Sequence, residues 1–146
     1  MTFLILILML VIVTAMAFYA GRLLYKLRAQ NKLKEARRKE RLTNIIESIN
    51  TIAAAMAQQQ CNLSEGSIRL YHLLEALPVL NKPNYADIYT GVYALFEQVK
   101  DLPSHEERKQ LSTGERKVQD TFREECEARL ETTILKDVAQ LKEFSI

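Results

Sequence analysis

Glycine is scarce in this chain: four in 146 residues, at positions 21, 66, 91 and 114. That leaves no loop to cradle a phosphate and no nucleophile elbow of the serine-hydrolase kind. The two cysteines (Cys61, Cys126) and two histidines (His72, His105) form no C-x-x-C or H-x-x-x-H pair, so no zinc site is expected. In helical geometry His72 stands one turn after Arg69, and His105 opens a short helix beside two acids; neither reads as a catalytic base. Glu124, Glu125 and Glu127 surround Cys126 with negative charge, which disfavours its thiolate. A nucleophile, a base and a charge stabiliser cannot all be assigned, so neither a cofactor nor an enzymatic activity is expected.

Charge is missing altogether from Phe3 to Gly21. Nineteen helical residues span roughly 28 Å, about the hydrocarbon thickness of a bilayer. Residues 1–21 therefore read as a transmembrane anchor. Ala15-Met16-Ala17 fits a signal-peptidase site, but no base precedes the apolar run and many follow it, which favours an uncleaved anchor. Arg22, Lys26, Arg28, Lys32, Lys34, Arg37, Arg38, Lys39 and Arg41 stand against Glu35 and Glu40, a net +7 over residues 22–41. These nine cations are the expected membrane-surface contacts, since anionic lipid attracts each by about 1 kcal/mol. The positive-inside rule places them in the cytoplasm, and the short tip before Phe3 crosses at little cost, giving an N-out, C-in topology. No reader motif or aromatic stacking set accompanies the charge, so nucleic acid is not an expected partner.

Taking +7 from the chain's +2 leaves residues 42–146 at −5. This stretch reads as one helical-bundle domain. Leu42, Ile45, Ile46, Ile49, Ile52, Ala53 and Met56 form a stripe at helical spacing, and the basic run before it favours helix, so one helix is expected from the bilayer to about Gln59. A second is expected to start at Ser64 as cap, with Leu63 stapled to Ile68, and to stop before Pro78. A third, capped by Asn84, would run through Val99. On it Tyr85, Tyr89 and Tyr93 recur every four residues as one ridge, either a core edge or a partner-binding face. Capping boxes at Ser104 and Ser112 predict a short helix and then a long one, the latter striped by Val118, Phe122, Cys126, Leu130, Ile134, Val138 and Leu141 to about Phe144. The mixed charge blocks at 106–109 and 115–117 read as solvated helix surface. The predicted fold class is all-α, an N-terminal transmembrane helix continuing into a cytoplasmic helical bundle.

The segments Cys61-Asn62-Leu63-Ser64-Glu65-Gly66-Ser67-Ile68-Arg69-Leu70 and Leu102-Pro103-Ser104-His105-Glu106-Glu107-Arg108-Lys109 resemble a gammaproteobacterial family of small single-pass proteins, a domain of unknown function. The resemblance spans most of the chain and implies a bacterial inner-membrane location, without supplying an activity or catalytic residues. Arg69 reads as the i, i+4 partner of Glu65 or as an anchor for a protein partner or anionic ligand. Three functions follow: a membrane-anchored adaptor or regulator with an unidentified protein partner; a structural protein that self-associates through Ala17 and Gly21 or the stripe from Leu42; and, last, an enzyme. An exported, envelope-spanning scaffold would place the +7 flank on the wrong side of the membrane.

Overall fold

The computed structural model describes residues 2–103 and 105–146, with side chains at 3–103 and 108–146. The capping box expected at Ser104 lies outside the described side chains. Six helices account for the described regular structure: α1 (Thr2–Ala57), α2 (Leu63–Glu75), α3 (Tyr85–Ile88), α4 (Thr90–Val99), α5 (His105–Gln110) and α6 (Thr113–Leu141). The chain divides into two compact units, residues 1–41 and 42–146.

In the first unit α1 is apolar on every side from Phe3 to Phe18 apart from Thr14, and every one of these side chains is exposed. It is long and apolar enough to cross a membrane. Thr14, its one polar interruption before Tyr19, turns its hydroxyl back to donate to the carbonyls of Leu10 and Val11 at 3.0 and 2.9 Å. That contact leaves no polar group unsatisfied in an apolar medium.

The second unit is a helical bundle. Ile45, Ile49, Ala53 and Met56 of α1 meet Leu70 and Leu74 of α2, Val92, Leu95 and Val99 of α4, and Cys126, Ile134, Val138 and Leu141 of α6. Full burial of each large aliphatic side chain contributes about 1.5–3 kcal/mol. α1 ends at Ala57 because Gln59 adopts a left-handed φ of 57°. The amide of Gln60 then donates to Ala55 O and that of Gln59 to Met56 O, closing a Schellman turn with glutamine where glycine is usual.

Three expected helix boundaries differ from the structure. α2 starts at Leu63 with Asn62 as its cap residue. Ser64 lies inside the first turn, where its amide (3.0 Å) and hydroxyl both donate to Glu127 of α6, so the capping acceptor comes from another helix. The expected third helix breaks at Tyr89 (φ −110°, ψ 60°) into α3 and α4, and Asn84 makes no side-chain cap bond. The break lets the amides of Gly91 and Val92 donate to the buried Asp137 carboxylate at 2.7 and 3.1 Å. The Ser112 capping box is present in full, and α6 ends at Leu141. Phe144 beyond it is buried, with its amide donating to Asn50 Oδ1 and its carbonyl accepting from Asn50 Nδ2. The α6 stripe is buried only from Cys126 onward. Val118 and Phe122 are 71% and 44% exposed and stand outside the core cluster.

Candidate functional site: a basic cleft in the helical unit

A cleft of about 560 Å³ opens where the start of α2, the turn after α4, α5 and α6 converge. Ile68, Val99, Leu102 and Pro103 give it an apolar floor, and Arg69, Arg108, Lys109 and Arg123 line it with positive charge. Local sequence chemistry explains each position. The first turn of α2 presents Glu65 and, four residues on, Arg69, whose Nη2 lies 2.5 Å from Glu65 Oε1. The turn after Val99 brings Leu102 and Pro103 into the lining before α5 begins.

Arg108 of α5 grips Asp120 of α6 with both prongs of its guanidinium, Nη1 to Oδ1 at 2.6 Å and Nη2 to Oδ2 at 2.7 Å. Such a bidentate pair has more geometric definition than an ordinary surface ion pair. Hydrogen bonding from Arg108 holds the Asp120 carboxyl below its usual range, and the same contact raises Arg108. Arg123, one turn further along α6, approaches Asp120 at 3.8 Å. The mixed charges around Arg108 are thus not merely solvated surface: this residue fixes α5 to α6. Beside the cleft, burial followed by the charge of Glu65 pushes the Cys61 thiol up, away from thiolate character.

The structure separates the four residues expected as a partner face. Tyr85 and Tyr89 are buried, their rings 6.0 Å apart and set edge-on to Phe144 at 6.0 and 6.5 Å. Burial raises both phenols. The break at Tyr89 interrupts the helix between these two and Tyr93, and their burial against Phe144 is the core-edge arrangement, one of the two roles open for the ridge. Tyr93 is half-buried: its ring stands edge-on to Tyr71 at 5.0 Å, and Tyr71 stacks on Phe96 at 3.6 Å. Arg69 alone of the four lines the cleft. His72 is edge-on to Tyr71 and Phe96, a packing role.

Tyr93 donates its hydroxyl to Glu75 at 2.8 Å, and Lys82 donates to the other oxygen of that carboxylate at 2.5 Å. The Lys82 hydrogen bond, then that of Tyr93, lowers the Glu75 pKa, while burial, followed by the Glu75 hydrogen bond, drives the Tyr93 phenol strongly upward. A depressed carboxylate stabilises the fold above its unfolded value of about 4.3, and that contribution is lost as pH falls through the folded value. Glu75→Gln should therefore flatten part of the acid-side loss of stability, measured as the urea midpoint at pH 6 and pH 3.

The nine cations expected at the membrane surface are all exposed along α1 in the first unit. Cys61 and Cys126 are both free thiols. Among the described residues, no group of three or more His, Cys, Asp or Glu is placed to hold a metal ion. Sequence reasoning missed the convergence of Arg69, Arg108 and Arg123. They come from three helices: the spacing from Glu65 marks Arg69, but nothing local links it to Arg108 or Arg123.

Fold and site together define an all-α helical-bundle protein with a basic-rimmed cleft and an apolar N-terminal helix long enough to span a membrane. The chain belongs to the family described as "Protein of unknown function (DUF2489)", which it matches over residues 13–141. It is also 37% identical over 132 residues to a Haemophilus influenzae protein described as "Uncharacterized protein", a match covering 90% of this chain and 87% of that one. No solved structure matches it.

Proposed function

We propose that this chain is a non-enzymatic adaptor or regulator anchored in a bacterial inner membrane, with residues 42–146 held at the cytoplasmic face for a protein partner. The observation that carries this reading is α1 itself: its apolar side chains from Phe3 to Phe18 are uncovered, and the charge-free run gives way abruptly to nine exposed cations. An apolar surface of that kind is stable in lipid and costly in water, and the cations favour the cytoplasmic leaflet. Tethering at a membrane raises the effective concentration of the helical unit toward a membrane-associated partner.

Two linked measurements test it in cells. The full chain should stay in the membrane fraction through carbonate washing, and deletion of residues 3–21 should release it. Because Cys126 is buried, topology is better read from Ser145→Cys at an exposed site, with Cys61 replaced by serine. An impermeant thiol reagent should label Ser145→Cys only after the inner membrane is opened. Labelling in intact spheroplasts would reverse the topology, and carbonate release of the full chain would remove the anchor.

A further inference from the structure

Anchoring leaves open which of the nine cations meet lipid, and the geometry of α1 divides them. Resting on the anchored reading, we propose that Arg22, Lys26 and Arg28, together with Tyr19 and Tyr25, form a binding site for anionic phospholipid headgroups, and that the cations from Arg37 to Arg41 stand beyond the reach of the bilayer.

Distance comes first. α1 runs unbroken through residues 22–41, and that stretch holds neither glycine nor proline to bend it. With Gly21 at the edge of the hydrocarbon, Arg22 follows at about 2 Å, Lys26 at about 8 Å and Arg28 at about 11 Å along the axis, whereas Arg37 lies at about 24 Å and Arg41 at about 30 Å. The headgroup layer adds about 5–8 Å per leaflet, and screening extends its attraction by a further length of about 8 Å. Lys32 and Lys34 stand at the edge of that range, and Arg37 and the cations after it stand outside. A tilt of about 20° shortens these distances by less than a tenth. Tyr19 and Tyr25 are both exposed, one turn before and one turn after Arg22, where aromatic side chains mark a bilayer interface.

The run cannot bring its far cations back by lying along the surface. A surface helix sets an apolar face against a basic one. Here the cations are spread around the helix, and Leu23, Leu24, Leu27 and Leu33 stand among them instead of forming a separate face. Opposite charge divides the run in the same place. No Asp or Glu precedes Glu35, so none stands within six positions of Arg22, Lys26 or Arg28, while Glu35 and Glu40 lie within one turn of the far cations.

The test is electron paramagnetic resonance of spin-labelled phosphatidylglycerol and phosphatidylcholine, compared in mixed vesicles of the two lipids carrying the full-length chain. The chain should hold the phosphatidylglycerol label in preference by about threefold. Arg22→Gln/Lys26→Gln/Arg28→Gln should lose most of that preference. Arg37→Gln/Arg38→Gln/Lys39→Gln/Arg41→Gln removes one charge more and should keep it. All seven side chains are exposed, so neither variant should shift the urea transition. Sodium chloride at about 1 M should roughly halve the preference, because contacts in the headgroup layer are screened. The proposal falls if the far variant loses as much preference as the near one, or if the preference survives salt undiminished. It falls equally if the chain holds both lipids alike, which would leave the cations to an acidic protein partner. Carbonate washing of the same vesicles separates this result from the anchor: release of the chain removes both readings, whereas a chain that stays and shows no preference removes this one alone.

Discussion

Replacing Asp137 with alanine should destabilise the helical unit by about 3 kcal/mol, read as a shift in the urea transition followed by tyrosine near-UV circular dichroism. Asp137 is 4% exposed, and its carboxylate is the acceptor for the first-turn amides of α4. The cap position of that helix is Tyr89, which makes no side-chain cap bond. Truncation would leave two buried N–H groups without an acceptor, each costing about 1–3 kcal/mol, partly offset by no longer burying a carboxylate. Burial raises the Asp137 pKa, against the lowering effect of the Val92 and Gly91 amides. The sign is therefore opposite to that of Glu75. The native state holds the proton more tightly than the unfolded chain, so this contribution is complete below the unfolded value of about 3.9 and declines as pH rises through the folded one. Asp137→Asn keeps an acceptor and removes the titration. It should cost within about 1 kcal/mol at neutral pH. A loss equal to that of Asp137→Ala would show that charge, and not the acceptor, holds α4.

Gly91→Ala should cost about 2–3 kcal/mol in the same transition, the upper part of the range for overpacking a well-filled core. A Cβ at Gly91 would sit 2.7 Å from the backbone nitrogen of Ile134, 2.8 Å from the carbonyl carbon of Thr133 and 3.0 Å from Thr133 Cγ2. The first two belong to the backbone of α6, which is also held by the Asp137 contacts one turn on, so α4 itself must move away. Gly66→Ala offers the contrast. The three atoms nearest its added methyl all belong to the flexible Met56 side chain and none to backbone, and alanine improves helix propensity by about 1 kcal/mol, so the net loss should be well below that at Gly91. Asp137→Ala and Gly91→Ala act on one junction, and their combined effect should be less than the sum. Simple addition would mean that the close approach and the cap are independent.

The junction also shows where sequence reasoning loses its grip on this fold. Asn84 before an apolar periodic run reads as the cap of one long helix, and the residues from Tyr85 to Val99, Gly91 apart, suit that reading. The chain breaks at Tyr89 because Tyr85 and Tyr89 pack on Phe144 while Gly91 closes onto α6. Those partners lie far along the chain and leave no periodic mark near Tyr89. Ser64 is a similar case. Its type and spacing suit a cap, but Glu127 of α6 is a better acceptor for its amide, and the hydroxyl becomes a donor instead.

The candidate cleft was legible only in part. Arg69 stood out because Glu65 lies four residues before it, a spacing that any helix converts into proximity. Arg108 lies inside a mixed charge block that reads equally well as solvent-facing surface, and Arg123 lies outside both such blocks with no spacing that singles it out.

The sequence by itself determined the charge-free run from Phe3 to Gly21, the basic stretch after it, the buried stripe of α1 from Ile45 to Met56 and the Ser112 capping box. All are short-range: each depends on composition within one segment, or on spacings of three and four residues that helical geometry turns directly into a face or a hydrogen bond. Tertiary structure alone decided the break at Tyr89, the capping of α2 and α4 by Glu127 and Asp137 of α6, the clasp of Asn50 on Phe144 and the meeting of three arginines at one cleft. Those contacts join residues 63, 46 and 94 positions apart for Ser64–Glu127, Gly91–Asp137 and Asn50–Phe144. Their partners are chosen by how the helices pack, and helix packing depends on the shape of the whole core, which no local pattern encodes.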